Sequence, residues 1–236
     1  MILAAGRGER MRPLSDARPK PLLEAGGAPL IVHQLRALVR AGFSDVVINA
    51  AHLADVLVGE IGDGRRFGAA IRWSREEEAL ETAGGIATAL PLLPPGPALI
   101  VSGDIWTRYD YARLAGIAQA MASGAAPARV HLVMVPNPPY HPRGDFALQP
   151  GQAGAARVAL DGPERLTYGN IGLFDTALFA ELPRHTKLKL LPYLADWIAR
   201  GLVRGERYDG PWANVGTPAD LARLDAALRA GEGEHA

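Results

Sequence analysis

Cysteine is absent from the 236 residues. That excludes disulfides, thiolate metal sites and a cysteine nucleophile, and it fits a reducing compartment. Net charge is absent too, because 25 Lys and Arg balance 25 Asp and Glu. A dedicated nucleic-acid binder carries a basic excess, so the balance speaks against one. No apolar run reaches the length of a membrane span. Met1 runs straight into Ile2-Leu3-Ala4-Ala5, with no basic region ahead of a secretory apolar stretch. The expectation is a soluble cytoplasmic protein with no nucleic-acid or membrane partner. The six histidines lack metal-ligand spacing, and His33 and His52 read as structural. Repeats and a dividing linker are missing as well. Residues 1–230 therefore read as a single domain and 231–236 as a tail. A chain of this length buries a sizeable core without staples.

What is present is an alternation. Apolar runs at 2–4, 45–50, 70–74 and 98–101 read as buried strands. Between them lie a helix with Ile31, Leu35, Leu38 and Val39 on one face, and helices at 53–61 and 82–92. Gly42, Gly62-Asp63-Gly64 and Pro94-Pro95-Gly96-Pro97 separate them. This pattern predicts parallel βαβ units with right-handed crossovers. The first strand starts at residue 2, which leaves room for residues upstream of Met1. After Arg129 the rhythm changes. Strands are expected at 130–135, 146–148, 158–160 and 166–174. Two helices follow, one with Leu190, Leu191, Leu194 and Ile198, the other with Leu221, Leu224 and Leu228. Thr217 is the expected N-cap of the second and Pro218 its first residue. Residues 1–125 thus read as a nucleotide-binding half, and 126–230 as a half that holds a second substrate.

Four segments carry chemistry. The first is Leu3-Ala4-Ala5-Gly6-Arg7-Gly8-Glu9-Arg10-Met11-Arg12-Pro13, with Pro19-Lys20-Pro21 behind it. Small residues at the end of a first parallel strand let backbone N–H groups approach a phosphate chain. Arg10 and Lys20 add fixed positive charge where a transferred phosphoryl group gains negative charge. The segment is neither a Walker A loop nor a dinucleotide fingerprint, and Gly6-x-Gly8 alone reads as an ordinary surface loop. The second is Val101-Ser102-Gly103-Asp104. Gly103 leaves room for a nucleotide, and a carboxylate at the end of a central strand points into the ligand cleft. Mg²⁺ needs one or two protein oxygens, so Asp104 is a credible anchor; capping of the next turn is the competing reading. The third is Glu76 with Leu80-Glu81-Thr82-Ala83-Gly84-Gly85. A helix N-terminus with glycines suits a ligand carrying acceptors. The alternative is that 76–78 is a solvated charge run. The fourth is Arg143-Gly144-Asp145-Phe146 with Gly169-Asn170-Ile171-Gly172. Asp145 could accept hydrogen bonds from sugar hydroxyls, and glycines within a strand suggest close approach of a ligand. An ordinary turn and a bulge compete with those readings.

The run from Leu3 to Pro21 resembles the N-terminal signature of the sugar-phosphate nucleotidyltransferases, the pyrophosphorylases that make UDP-, GDP- and dTDP-sugars. The resemblance extends to about Leu228. It implies an α/β fold: a Rossmann-like three-layer sandwich with a mostly parallel mixed sheet and a C-terminal sugar-binding lobe. It implies that the loop, with Ala5, Gly6, Gly8 and Glu9, wraps the triphosphate. Arg10 would contact the β- and γ-phosphates, and Lys20 the reacting phosphates. It implies Mg²⁺ on Asp104 and on Asn214 in Trp212-Ala213-Asn214-Val215-Gly216-Thr217, where many relatives have Asp. It also implies nucleotide contacts at Glu76, Thr82 and Gly103, and sugar contacts at Gly144, Asp145 and Asn170. Within the family the chain is most similar to the N-acetylmuramate α-1-phosphate uridylyltransferase group of cell-wall recycling. The implied substrates are UTP, or another NTP, and a sugar 1-phosphate. Alternatives are mannose- or heptose-1-phosphate with GTP, phosphocholine with CTP, and a non-catalytic sugar-nucleotide sensor.

Overall fold

The computed structural model describes residues 1–125, 128–151 and 156–231. The chain opens on β1 (Ile2–Leu3). A loop and the short α1 (Leu14–Ala17) lead to a small hairpin of β2 (Glu24–Ala25) and β3 (Ala28–Pro29). Then α2 (Leu30–Arg40), β4 (Asp45–Ala50), α3 (Ala54–Ile61), β5 (Ala70–Arg75), α4 (Glu81–Ala89) and β6 (Pro97–Ser102) alternate as expected. β7 (Ile105–Thr107) and α5 (Arg113–Ala122) follow. The second half contains β8 (Val130–Val135), β9 (Phe146–Gln149), β10 (Ala156–Ala159) and β11 (Arg165–Asp175). It closes with α6 (Leu190–Ala199), β12 (Val203–Arg207), β13 (Trp212–Asn214) and α7 (Pro218–Arg229).

Nine strands form one sheet in the order β5-β4-β1-β6-β11-β8-β12-β10-β9. The first four are mutually parallel, and Ile2 of β1 sits between Ile48 and Val101. β11 pairs antiparallel with β6, and from there the sheet is mixed. The second half therefore extends the same sheet. Side chains alternate across it. Val46, Ile48, Leu99 and Val101 pack with α2, α3 and α5 on one face. Val47, Ala98 and Ile100 pack with α4 and α6 on the other. Burial of both faces is why these strands read as unbroken apolar runs. A smaller core of Met11, Leu23, Leu30, Val215 and Leu224 fixes α7 over the β2–β3 hairpin. Thr217 caps α7 by accepting from the Asp220 N–H, and Pro218 is its first residue, as expected.

Some boundaries differ from expectation. The helix expected at 82–92 gives way after Ala89 to a tight turn at Leu90–Leu92. The strand expected at 158–160 is Ala156–Ala159, with Leu160 exposed beyond it. The expectation of a tail after 231 falls outside the described residues. Among the described residues no helix is long and apolar enough to cross a membrane.

Candidate active site

The glycine-rich loop leaves the carboxyl end of β1 in the middle of the parallel strands. Gly8 is left-handed (φ 67°, ψ 44°) and turns the chain into the tight turn Glu9–Met11. The Met11 N–H donates to the Gly8 carbonyl at 2.8 Å. A Cβ on Gly8 would stand 3.1 Å from the Lys20 Cβ. Glycine therefore supplies the backbone conformation and the room for the lysine stem. Nothing lies within 4 Å of the place of a Gly6 Cβ, so that face of the loop is open.

Lys20 is buried, yet its Nζ lies 2.5 Å from Asp104 Oδ2. β6 runs parallel to β1 and delivers Asp104 to the same edge of the sheet. The Gly103 N–H donates to the Leu3 carbonyl at 2.9 Å, and a Cβ there would stand 3.1 Å from that oxygen. Gly103 thus lets the strand end pass close to β1; it lies behind the cleft. β7 then pairs antiparallel with β13, setting Ile105 against Asn214. The Val215 N–H donates to the Asp104 carbonyl at 3.0 Å. Arg10 lies over Gly216, where a Cβ would come 3.4 Å from its Nη2. Lys20 and Asp104 line one cavity, and Arg10 and Asn214 line the one adjoining it. Among the described residues no cluster of three His, Cys, Asp or Glu could hold a metal. One carboxylate beside one carboxamide still suits Mg²⁺, which takes its remaining ligands from phosphate and water.

A cavity of about 370 Å³ opens here, lined by Ala5, Gly6 and Gly8 with Lys20, Asp104 and Thr82. Glu9 stands outside it, exposed and paired with Arg7 at 3.2 Å. Glu76 is outside it as well. It is buried, while Glu77 and Glu78 are exposed, so it belongs to no solvated run. Its Oε1 accepts from Asn49 Nδ2 at 2.7 Å and its Oε2 from the Leu80 N–H at 3.0 Å. Burial raises its carboxyl above the ordinary range, against the pull of those two donors. Asn49, which the sequence reading missed, accepts from the Ala4 N–H at 2.7 Å and lines the cavity. Asn49 and Glu76 thus brace the loop from behind.

The glycines opening α4 have a different purpose from the one expected. The Ala83 and Gly84 N–H groups donate to the Leu188 carbonyl at 2.9 and 3.1 Å. A Cβ on Gly84 would stand 2.1 Å from the Thr186 carbonyl oxygen, and one on Gly85 2.8 Å from Asn49 Nδ2. They admit a neighbouring segment of chain, and no ligand. Glu81, also missed, is held left-handed at φ 61° and lines the cavity beside Thr82.

A second cavity of about 570 Å³ adjoins the first and shares Leu3, Ser102, Glu81 and Thr82 with it. Asp145 and Asn170 line it. Asp145 Oδ1 lies 3.0 Å from His141 Nε2, and its Oδ2 accepts from the Tyr168 N–H at 2.8 Å. Asn170 is left-handed (φ 56°), where the register of β11 on β8 shifts between Tyr168 and Gly172. The bulge turns this residue toward the cavity. Gly144 is left-handed at φ 60° but buried; a Cβ would stand 2.7 Å from Asn137 Oδ1. It shapes the turn behind Asp145. Tyr140, His141 and Lys189 also line this cavity, and the sequence reading had not singled them out. His33 and His52 bond the Ala25 and Ser15 carbonyls, as structural residues.

The model of the family described as nucleotidyl transferase matches residues 1–142. An N-acetylmuramate alpha-1-phosphate uridylyltransferase of Neisseria meningitidis serogroup B is 41% identical over 227 residues, 96% of each chain. One from Caulobacter vibrioides is 34% identical, covering 98% of this chain and 96% of its own. Among solved structures, a candidate glucose-1-phosphate thymidylyltransferase of Bacillus anthracis, in complex with a sucrose, superposes with a TM-score of 0.79. It is 20% identical and covers 97% of this chain and 94% of its own, a likeness of fold.

Proposed function

The chain belongs to the nucleotidyl transferase family, and we propose that it transfers UMP from UTP to N-acetylmuramate 1-phosphate, releasing pyrophosphate. The observation that carries the reaction type is the Lys20–Asp104 pair in the wall of the first cavity. The choice of substrates is supported by the names of the relatives that match nearly the whole chain. In this reading the first cavity takes the nucleotide, with its phosphates along Ala5–Gly8, and the second takes the sugar. Thr82 meets the base from the wall the cavities share. Asp145 and Asn170 meet the sugar. The setting is the cytoplasm, in recycling of cell-wall sugars.

The sugar-phosphate oxygen attacks the α-phosphorus in line, and pyrophosphate leaves. The nucleophile is already anionic, so no residue has to remove a proton. Lys20, held by Asp104, and Arg10, held over Gly216, place positive charge at the phosphates before the reaction begins. Mg²⁺ bound by Asp104 and Asn214 would supply further charge neutralisation at the phosphates. Positioning and electrostatics together carry the catalysis, as in other phosphoryl transfers.

The test is pyrophosphate release from a panel of four NTPs and several sugar 1-phosphates with Mg²⁺. Release with UTP and N-acetylmuramate 1-phosphate is expected. Release only with GTP or CTP would sink the uridylyl reading, and release from no pair would favour a sensor.

A further inference from the structure

Arg10, Asn214 and Lys189 line the second cavity, Lys189 where α6 begins. Among the described residues Arg10 and Lys189 are the only Lys or Arg side chains in its wall. Arg10 lies over Gly216 and is assigned to the phosphates above. Lys189 makes no ion pair among the described residues, whereas its neighbour Lys187 is paired with Glu78 at 2.6 Å. Two carboxylates line the same wall: Asp145 is engaged by His141 and by the Tyr168 N–H, and Glu81 is exposed. Lys189 is therefore the uncommitted cation of the sugar side.

Its neighbour Leu191 is 60% exposed, and Tyr140, in the same wall, is 56% exposed. Few large hydrophobic side chains are left this open, and these two line one cavity. An exposed apolar side chain beside an unpaired ammonium matches a ligand group that is part methyl and part anion. N-acetylmuramate differs from N-acetylglucosamine by such a group: a lactyl ether on O3, with one methyl and one carboxylate.

We propose that Lys189 is a specificity-determining residue that recognises the carboxylate of a lactyl-bearing sugar 1-phosphate, with Leu191 covering its methyl. The inference rests on the functional reading above and goes further by naming how one sugar is chosen over another. A charge-assisted hydrogen bond of this kind changes affinity by about 10- to 100-fold.

The test compares the wild type with Lys189→Met and Lys189→Arg on three sugars: N-acetylmuramate 1-phosphate, its lactyl amide and N-acetylglucosamine 1-phosphate. Calorimetric binding is measured alongside KM. In Lys189→Met the preference for muramate over glucosamine should fall about 10- to 100-fold, with KM for UTP unchanged. The wild type should lose a similar factor on the amide, and Lys189→Met should not discriminate acid from amide. Lys189→Arg should restore most of the preference. Equal loss on all three sugars, or an unchanged preference, overturns the inference and leaves the functional reading standing. A wild type that turns over UTP but refuses muramate overturns both.

Discussion

Lys20 and Asp104, 84 residues apart, form an ion pair of 2.5 Å in which the lysine is almost wholly buried. Each holds the other in place, and removing one leaves the other's charge unmatched. Lys20→Met is expected to lower kcat/KM by about 100- to 1000-fold, the usual scale for losing a preorganised charge at a phosphoryl centre. Asp104→Asn should lower activity and also raise the Mg²⁺ needed for half-maximal rate. Pyrophosphate release across a Mg²⁺ series checks both. Unchanged metal dependence in Asp104→Asn would remove Asp104 from the proposed metal site.

Asn214 lies on β13 opposite Ile105, the residue after Asp104, and is the proposed second metal ligand. A carboxamide brings an oxygen without charge. Asn214→Asp is therefore expected to lower the half-saturating Mg²⁺ concentration by about threefold or more in the absence of nucleotide, because affinity rises with ligand charge. Calorimetric titration of the free protein with Mg²⁺ reads this directly.

Glu76 should act on stability before it acts on chemistry. Its oxygens are engaged by Asn49 and Leu80, so Glu76→Ala is expected to cost about 1–3 kcal/mol. Burial raises its carboxyl above the ordinary value, so the folded state holds its proton more tightly than the unfolded chain. The resulting stability is fully present below the unfolded value and is lost as pH rises through the folded one. The melting temperature of the wild type minus that of Glu76→Gln should therefore shrink as pH is raised from about 4.5. A difference that grows over that range would contradict the assignment.

Two glycines in helices should respond in opposite directions. Gly84→Ala would drive a methyl to within 2.1 Å of the Thr186 oxygen. It is expected to destabilise by about 1–3 kcal/mol, or roughly 2–4 °C per kcal/mol at this size. Gly59 sits in the exposed face of α3 with nothing within 4 Å of a Cβ. Gly59→Ala should stabilise by about 0.5–1 kcal/mol. Thermal melts of the two variants give the contrast.

The alternating half of the fold was legible because its strands are buried on both faces and its helices have one apolar stripe. α5 escaped notice because Leu114 is its one fully buried side chain and alanine and glycine dilute the rest of its pattern. β12 escaped because Gly205 and three charged residues interrupt a five-residue strand. In the site, the loop and Asp104 were marked by strand ends and glycines. Asn214 was visible only through a family resemblance, since no local periodicity points from residue 214 to residue 104. Asn49 did carry a signal, a carboxamide inside the apolar strand Asp45–Ala50. The reach of Tyr140, His141 and Lys189 into one cavity depends on how β9, β11 and α6 meet, which short-range pattern does not encode.

The two-stranded ribbon of β7 and β13 has a consequence for synthesis. A ribosome releases residue 104 long before residue 214, yet the proposed metal pair forms only when Asn214 has come to rest beside Ile105. Met11, at the end of the glycine-rich loop, also packs on Val215 and Leu224, so the loop too waits for the last elements of the chain. Fragments that stop short of β13 should be inert toward nucleoside triphosphate and sugar 1-phosphate.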